Sequence, residues 1–409
     1  MNIVVLLDKY YPNKSANSLC ISKITGIWHE QYGDNVNVVC FGEKDAAVSL
    51  ADEEVYVIGC TPQKKWIEST NIPEKIRYID GRIKTLFAFP RIDRQKVDQY
   101  TKALGQISET HPVDCVISLC NPAESVEAGF RYKEVNPKIK WIIYDIDTVS
   151  NRSLGRIDSI FRAALMAKAY HWECRMFRSA DHVIHLQQHA EHFQRKKYRA
   201  FTQKTTYLDL PLLDIPAYEE QAGCEIAQDE KTLVYAGRFY RNLREPWDML
   251  EIVCNKSNHT KTRTVIYTEH AYVSELRKKY SDEKNLVLSD YVSEAEINRK
   301  MLESDFLLSI GNAATVMFPS KIITYVSTGK PIIHFFSNDQ DPVIPYLEHY
   351  PEALLLDTRK PLAENVAAFN AFIEKAHPRV SSAILREQYR SNIPEVSAEK
   401  MRALIYRQS

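Results

Sequence analysis

The sequence predicts an α/β protein built as two doubly wound domains, and three observations carry that prediction. With 409 residues the chain exceeds the size at which one core keeps growing, so two domains of about 200 residues are expected. Short apolar runs alternate with helical patterns from the first residues onward, as in mostly parallel sheets whose crossovers are helices. That alternation breaks off at a Pro-containing segment, 210–216, and a polar stretch, 219–231, and then restarts. The boundary is therefore placed within 211–230.

Taken in order, residues 2–7 read as a short apolar strand, 8–18 as a polar loop, 19–32 as an amphipathic helix and 36–41 as a second strand. Further strand-like runs fall at 55–58, 113–119, 141–146 and 182–186, with helical patterns between most of them. The second half offers strands at 232–236, 264–267, 286–288, 306–310, 331–335 and 353–356. Ser293 with Glu296 forms a capping box that opens the helix before Asp305. Helical patterns at 362–375, 382–389 and 397–407 close the chain. The expected division is 1–212, 213–390, and a final helical segment 391–409 packing back on the first domain. Two such domains in tandem are expected to leave a cleft at the carboxyl ends of their strands, where doubly wound sheets bind ligands.

Composition narrows the class. Lys plus Arg equals Asp plus Glu at 53 each, which argues against wholesale nucleic-acid binding and against an acidic tail. Residues 151–200 depart from this balance, with ten Lys/Arg against four Asp/Glu, including Arg195, Lys196, Lys197 and Arg199. A solvated helix face is the plain reading; contact with anionic lipid head groups is the functional one. No run approaches the roughly 18 apolar residues of a spanning helix. The first residues enter a strand pattern directly, without a signal-peptide pattern. The 8 cysteines are scattered without C-x-x-C spacing, mostly in apolar runs, which predicts buried thiols in a reducing cytoplasm.

The most informative segment is 305–336. An apolar strand (Phe306, Leu307, Leu308, Ile310) meets Gly311-Asn312, then Pro319-Ser320-Lys321, then Gly329-Lys330-Pro331 and a second apolar run. Pro319 suits a first helical turn and Gly329 a helix end. A helix N-terminus carrying Ser320 and Lys321 favours an anion, through exposed N–H groups, the helix dipole and a lysine charge. In the same half, Gly237-Arg238-Phe239-Tyr240-Arg241-Asn242-Leu243-Arg244 sets three guanidinium groups at a strand's carboxyl end. Arginine suits bidentate phosphate contacts, so loop and helix together predict diphosphate binding. No G-x-G-x-x-G follows the first strand, and neither G-x-x-x-x-G-K-[ST] nor H-E-x-x-H occurs, so dinucleotide, P-loop and zincin readings have no support.

These motifs resemble those of GT-B glycosyltransferases, in particular the family 4-like branch of bacterial surface-polysaccharide synthesis. The likeness rests most on Gly237-Arg238 and on Pro319-Ser320-Lys321-Ile322 through Gly329-Lys330-Pro331. Tyr10-Tyr11-Pro12 through Ser18, Asp114 through Glu124, and Ser179 through Ile184 add weaker likenesses. The resemblance implies two Rossmann-like domains and transfer of a sugar from a nucleotide-diphosphate sugar to a glycan or lipid-linked acceptor. It implies retention of configuration and charge stabilisation without metal or other cofactor. It assigns Arg238, Arg244, Ser320 and Lys321 to the diphosphate, Asn312 and Thr324 to the nucleotide or donor sugar, and Ser15, Ala16, Asn17 and Asp145 to the acceptor side. Peripheral contact at the inner face of the plasma membrane and a monomer or weak oligomer are further expectations.

The chain also departs from the pattern. Val316 and Thr324 stand where the family has two glutamates; Thr324 retains a hydroxyl for a ribose. Leu243 holds the usual lysine spacing, with Arg244 next, and Ser15, Ala16, Asn17 and Ser18 replace the glycines of the first loop. No residue is assigned as general base, and a catalytically silent binding or scaffold protein is the rival expectation.

Two other patterns invite metal. Asp145-Ile146-Asp147 ends a strand, and alternation would set both carboxylates on one face; the two-domain reading favours loop ordering or acceptor contact over a D-x-D metal site. His182, His185, His189 and His192 imitate a helical ladder, but a strand ending near Leu186 divides them between elements. His185, at that strand's carboxyl end, could still reach the cleft. Tyr10, Tyr11 and Tyr240 stand apart among 23 tyrosines because they lie on predicted ligand-side loops.

Overall fold

Strands covered on both faces read as unbroken apolar runs, and Val4, Val5 and Leu6, or Leu307 and Leu308, are fully buried in that way. The computed structural model describes residues 1–11, 15–42, 45–50, 53–59, 89–90, 92–151, 162–215, 230–268, 272–289, 292–313 and 318–406. It divides into two units, Met1–Pro211 with Pro394–Ser409, and Leu212–Ile393.

The first unit is built on β1 (Asn2–Leu6), β2 (Asn35–Gly42), β3 (Ala46–Ser49), β4 (Glu54–Gly59), β5 (Cys115–Leu119), β6 (Lys140–Asp145), β7 (His182–Leu186) and β8 (Thr205–Leu208). Their order in the sheet is β3-β4-β2-β1-β5-β6-β7-β8. Every pairing is parallel except that of β3 with β4. Helices α1 (Ala16–Tyr32), α2 (Arg94–Thr110), α3 (Ala123–Val135) and α4 (Arg162–Ser179) cover it. Ser15 Oγ accepts the Ser18 N–H and opens α1, and Asp93 does the same for α2 through the Gln95 N–H. The strand order reverses at β1, between β2 and β5, so the carboxyl ends of β1 and β5 flank the place where such sheets hold ligands.

The second unit repeats the plan with β9 (Lys231–Ala236), β10 (Thr262–Tyr267), β11 (Leu286–Ser289), β12 (Phe306–Ile310), β13 (Ile332–Phe336) and β14 (Ala353–Asp357). The order is β11-β10-β9-β12-β13-β14, all parallel, and reverses between β9 and β12. Helices α5 (Trp247–Val253), α6 (Val273–Lys279), α7 (Glu294–Glu303), α8 (Lys321–Ser327) and α9 (Leu362–Ile373) pack around it. Ser293 Oγ accepts the Glu296 N–H at the start of α7. Gly329, just after α8, has φ +67°, and a Cβ there would lie 2.7 Å from the Val380 carbonyl oxygen. Only glycine combines that conformation with that approach.

The last helix, α10 (Pro394–Tyr406), belongs to the first unit. The indole N–H of Trp28 on α1 donates to the Ala398 carbonyl at 2.9 Å. Asp34, 1 % exposed, accepts from the amino terminus, from Arg402 Nε and from the Tyr406 hydroxyl. Burial works to raise its pKa, and these three partners outweigh burial, holding the carboxyl below its usual value.

Candidate functional site

A side-chain contact spans the reversal point of the second unit. Ala236 ends β9 and leads into the loop of Arg238 and Arg244, while Ile310 ends β12 and leads into Gly311 and Asn312. Arg244 Nε donates to Asn312 Oδ1 at 3.0 Å, tying the two loops together. The loop's shape follows from its sequence. Tyr240 and Arg244 exchange two backbone hydrogen bonds of 2.8 Å, which closes a tight turn, and Asn242 adopts φ 60° within it. The Asn242 N–H donates to Glu245 Oε1 at 2.7 Å. Across the gap, the Ala313 N–H donates to the Leu243 carbonyl at 2.8 Å.

Two buried phenols frame the arginine. Burial pushes the Tyr235 hydroxyl up to about 12, and the charge and hydrogen bonding of Arg244 oppose that rise. Tyr325 on α8 places its hydroxyl 2.8 Å from the Ala236 N–H, which docks the helix against the end of β9. One turn before it on α8 stands Lys321, half-buried, its pKa lowered by burial against the opposing charge of Glu294. Ser320 is the N-cap residue but makes no side-chain capping bond, and Thr324 is half-buried on the same helix. Arg238 is exposed. Arg241 turns outward, 3.6 Å from Glu275. Val316 lies outside the described residues. A cavity of about 270 Å³ adjoins the Arg244–Asn312 contact, bounded by Leu243, Gly311, Ala313 and Phe336 and flanked by Glu245 and Asp248.

Gly311 holds this corner open. A Cβ there would fall 1.7 Å from Asp341 Oδ2 and 3.0 Å from its Cγ. Asp341 cannot yield, because it is 1 % exposed, contacts His334 Nε2 and accepts the Val343 N–H. Gly311→Ala is expected to lower the stability of the second unit by about 1–3 kcal/mol, the usual range for overpacking. The midpoint of a denaturant titration measures it.

The first unit gathers a different group at its own reversal point. Asp147 Oδ2 accepts from Asn17 Nδ2 at 2.7 Å and from Asn121 Nδ2 at 3.0 Å. Asp147 follows β6, Asn17 opens α1 after the β1 loop, and Asn121 follows β5, so three strand-end segments meet on one exposed carboxylate. Asp8, at the end of β1, has its pKa raised by burial, with Lys9 and Lys96 opposing and Asp147 adding to the rise. Ser15 and Asn17 are half-buried and Ala16 is exposed.

Four sequence readings need correction here. Asp145, expected on the acceptor side, is 1 % exposed; its Oδ2 contacts His185 Nδ1 at 2.8 Å and accepts from the Thr148 hydroxyl. Burial would raise its pKa, but the hydrogen bond and charge of His185 prevail and lower it. Because β6 ends at Asp145, strand alternation does not extend to Asp147, and the two carboxylates part, one inward and one to the surface. His185, which the sequence left able to reach the cleft, is equally buried and stacks on Phe193. Tyr10, read as a loop residue facing ligand, is 1 % exposed and donates its hydroxyl to the buried Glu53; Tyr11 and Tyr240 are exposed.

The four histidines occupy three successive elements, with β7 ending at Leu186. Each pairs with a different group, His182 with Thr206, His185 with Asp145, His189 with Thr148 and His192 with Ser150. Among the described residues no group of three His, Cys, Asp or Glu is placed to hold a metal. No helix among them is long and apolar enough to cross a membrane.

Sequence reasoning passed over Tyr325 and gave Asn121 no role of its own; Asp147 it weighed together with Asp145, favouring loop ordering or acceptor contact over metal. Asn121 and Asp147 carried a usable signal, since each stands two residues beyond a strand's carboxyl end. Tyr325 carried a weaker one, four residues after Lys321 on a helix.

No family model and no curated protein matches this sequence. Solved structures do match its fold. A sucrose-phosphate synthase from Thermosynechococcus elongatus superposes with a TM-score of 0.66 at 12% identity over 98% of each chain. The lipopolysaccharide outer core galactosyltransferase WaaB matches at 0.56 and 10% identity over 99% of each chain. WaaG, a glycosyltransferase involved in lipopolysaccharide biosynthesis, matches at 0.53 and 11% identity over 99% of this chain and 100% of its own. The fold is therefore GT-B, two parallel-sheet units of the kind these glycosyltransferases share. At such identities the likeness concerns architecture, and function has to be argued from the site.

Proposed function

We propose that this protein is a glycosyltransferase that takes a nucleotide-diphosphate sugar as donor and a glycan or lipid-linked glycan as acceptor, in the manner of surface-polysaccharide synthesis. The observation that carries the reading is the Arg244–Asn312 contact across the reversal point of the second sheet. It sets a guanidinium where doubly wound sheets hold ligands, and Tyr325, one turn after Lys321 on α8, accepts from the Ala236 N–H at the end of β9. Two cations, one of them partly desolvated, suit a diphosphate whose charge grows as the glycosyl bond breaks. The adjoining cavity of about 270 Å³ has room for one ring of the donor. In the first unit, Asp147 between two carboxamides offers the hydrogen-bonding chemistry that sugar hydroxyls require.

In this reading the bond between the anomeric carbon and the diphosphate breaks as the acceptor hydroxyl oxygen bonds that carbon on the same face, the hydroxyl proton passes to the departing phosphate, and Arg244 and Lys321 stabilise the phosphate oxygens. A panel of UDP, GDP, ADP and dTDP tests donor binding by thermal shift. One of them, at about 100 times its Kd, is expected to stabilise the second unit by roughly 2.7 kcal/mol, a rise of about 5 °C or more. A flat response across the panel overturns the reading. Turnover is followed by product mass with the matching nucleotide sugar and a lipid-linked acceptor, and EDTA is expected to leave it unchanged.

A further inference from the structure

A groove on the helical layer of the first unit has no part in the transfer chemistry. Its floor is α3, through Glu127 and Arg131, and one wall is α4, through Lys168, Trp172 and Arg175. The facing wall is the segment that enters α2, through Phe89 and Arg94. The cavity measures about 950 Å³, near the upper end for ligand-binding pockets.

Its charge is selective. The lining carries Arg94, Arg131, Lys168 and Arg175 against the single carboxylate of Glu127, in a chain whose formal charge is +0. Glu127 is already committed, since it accepts from Trp172 Nε1 at 3.1 Å and from Arg175 at 2.5 and 2.7 Å. That double contact fixes the plane of the indole and the orientation of the guanidinium beside it. Arg175 also stands 5.0 Å from the Phe130 ring centroid, and Arg131 is held by Asp98 at 2.7 Å. Arg94, the first residue of α2, is exposed at the groove's edge. Cationic groups are thus set around the aromatic side chains of Phe89 and Trp172 in an open groove.

We propose that this groove binds a segment of an anionic glycan, a run of pyranose rings bearing carboxylate or phosphate groups. Pyranose faces pack on aromatic rings, and planar guanidinium forks take carboxylates or phosphates two bonds at a time. A bilayer surface matches the charge but not the concavity. The choice of a glycan over other polyanions rests on the reading of the protein as a glycosyltransferase; the groove would hold a part of the chain that does not react.

Calorimetric titration of the full-length protein with hexagalacturonate, without nucleotide, tests this. Saturable binding is expected, roughly tenfold or more tighter than that of the neutral maltohexaose, and weakening as salt is raised. Arg94→Glu combined with Lys168→Glu is expected to weaken it by about tenfold or more while leaving the melting temperature and the nucleotide-induced shift at their wild-type values. Equal affinity for the two hexasaccharides, or undiminished hexagalacturonate binding by the double variant, overturns the proposal. So does charge-reversal-sensitive binding to pure phosphatidylglycerol vesicles with no binding of hexagalacturonate, which would give the groove to a lipid surface. Hexagalacturonate binding by a protein that responds to no nucleotide would support the groove and overturn the donor site instead.

Discussion

Arg244→Ala is expected to weaken nucleoside diphosphate binding by roughly 10- to 100-fold. A charge-assisted hydrogen bond contributes about 1.5–3 kcal/mol, and each 1.4 kcal/mol is about a factor of ten in Kd. The loss should exceed that figure's lower end because Arg244 does two things at once. Its Nε–H orders Asn312, and the guanidinium N–H groups not taken by Asn312 and the Tyr235 hydroxyl serve the phosphate. Arg244→Lys keeps the charge but loses the fork, so it should fall between wild type and alanine. Asn312→Ala should cost only a few-fold, since it removes the orienting acceptor and leaves the cation. Titration calorimetry with the nucleotide found in the panel measures all three, and wild-type affinity in Arg244→Ala would remove the phosphate from this corner.

The second large effect concerns stability and pH. Glu173 on α4 is 1 % exposed. Burial, with the Asp145 charge adding to it, raises its pKa from 4.5 to about 7, although the Tyr198 hydroxyl and the Ser150 N–H both donate to it. The folded state therefore holds this proton more tightly than the unfolded chain does. Between about pH 4.5 and 7 the folded form binds more protons, so Glu173 makes stability fall as pH rises through that window. Above it the full penalty is present, roughly 3 kcal/mol. Glu173→Gln carries no charge, can still accept from Ser150, and can meet Tyr198 by reversing the hydroxyl. It is expected to be the more stable protein at pH 8 and to lose most of the advantage at pH 5. Urea midpoints at the two pH values measure this; a variant destabilised equally at both would show that the carboxylate is a net structural asset.

The alternation of elements was legible because buried parallel strands and their crossover helices write different periods into the chain. All six strands of the second unit fall where apolar runs mark them, among them Phe306–Ile310 and Ile332–Phe336. What escaped were the edges. Strand β3, Ala46–Ser49, is largely exposed and pairs on one side, and β8, Thr205–Leu208, is half-buried, so neither carries a core-strand run. Candidate residues were legible where position alone marks them, as with Arg244 and Asn312, each in the loop after one of two adjacent strands. Contacts that span sequence were not, including the one that joins those two across 68 residues. Nothing near Tyr10 announces Glu53, 43 residues on, as its partner. Nothing in Asp145-Ile146-Asp147 tells that the strand stops at the first aspartate, or that the partner of this carboxylate is His185, 40 residues later on the neighbouring strand.

The position of α10 has a consequence for how the protein is made. Trp28, fully buried on α1, is completed by Ala398, 370 residues downstream, and Asp34 by Arg402, 368 downstream. The whole second unit is thus an insertion between the body of the first and its closing helix. Domains generally fold as units during synthesis, earliest residues first. Here the order is inverted. The ribosome must deliver the whole second unit and then α10 before the first unit can acquire its last wall, so the inserted unit has every residue it needs first. Deleting residues 394–409 should therefore damage the beginning of the protein while sparing its middle.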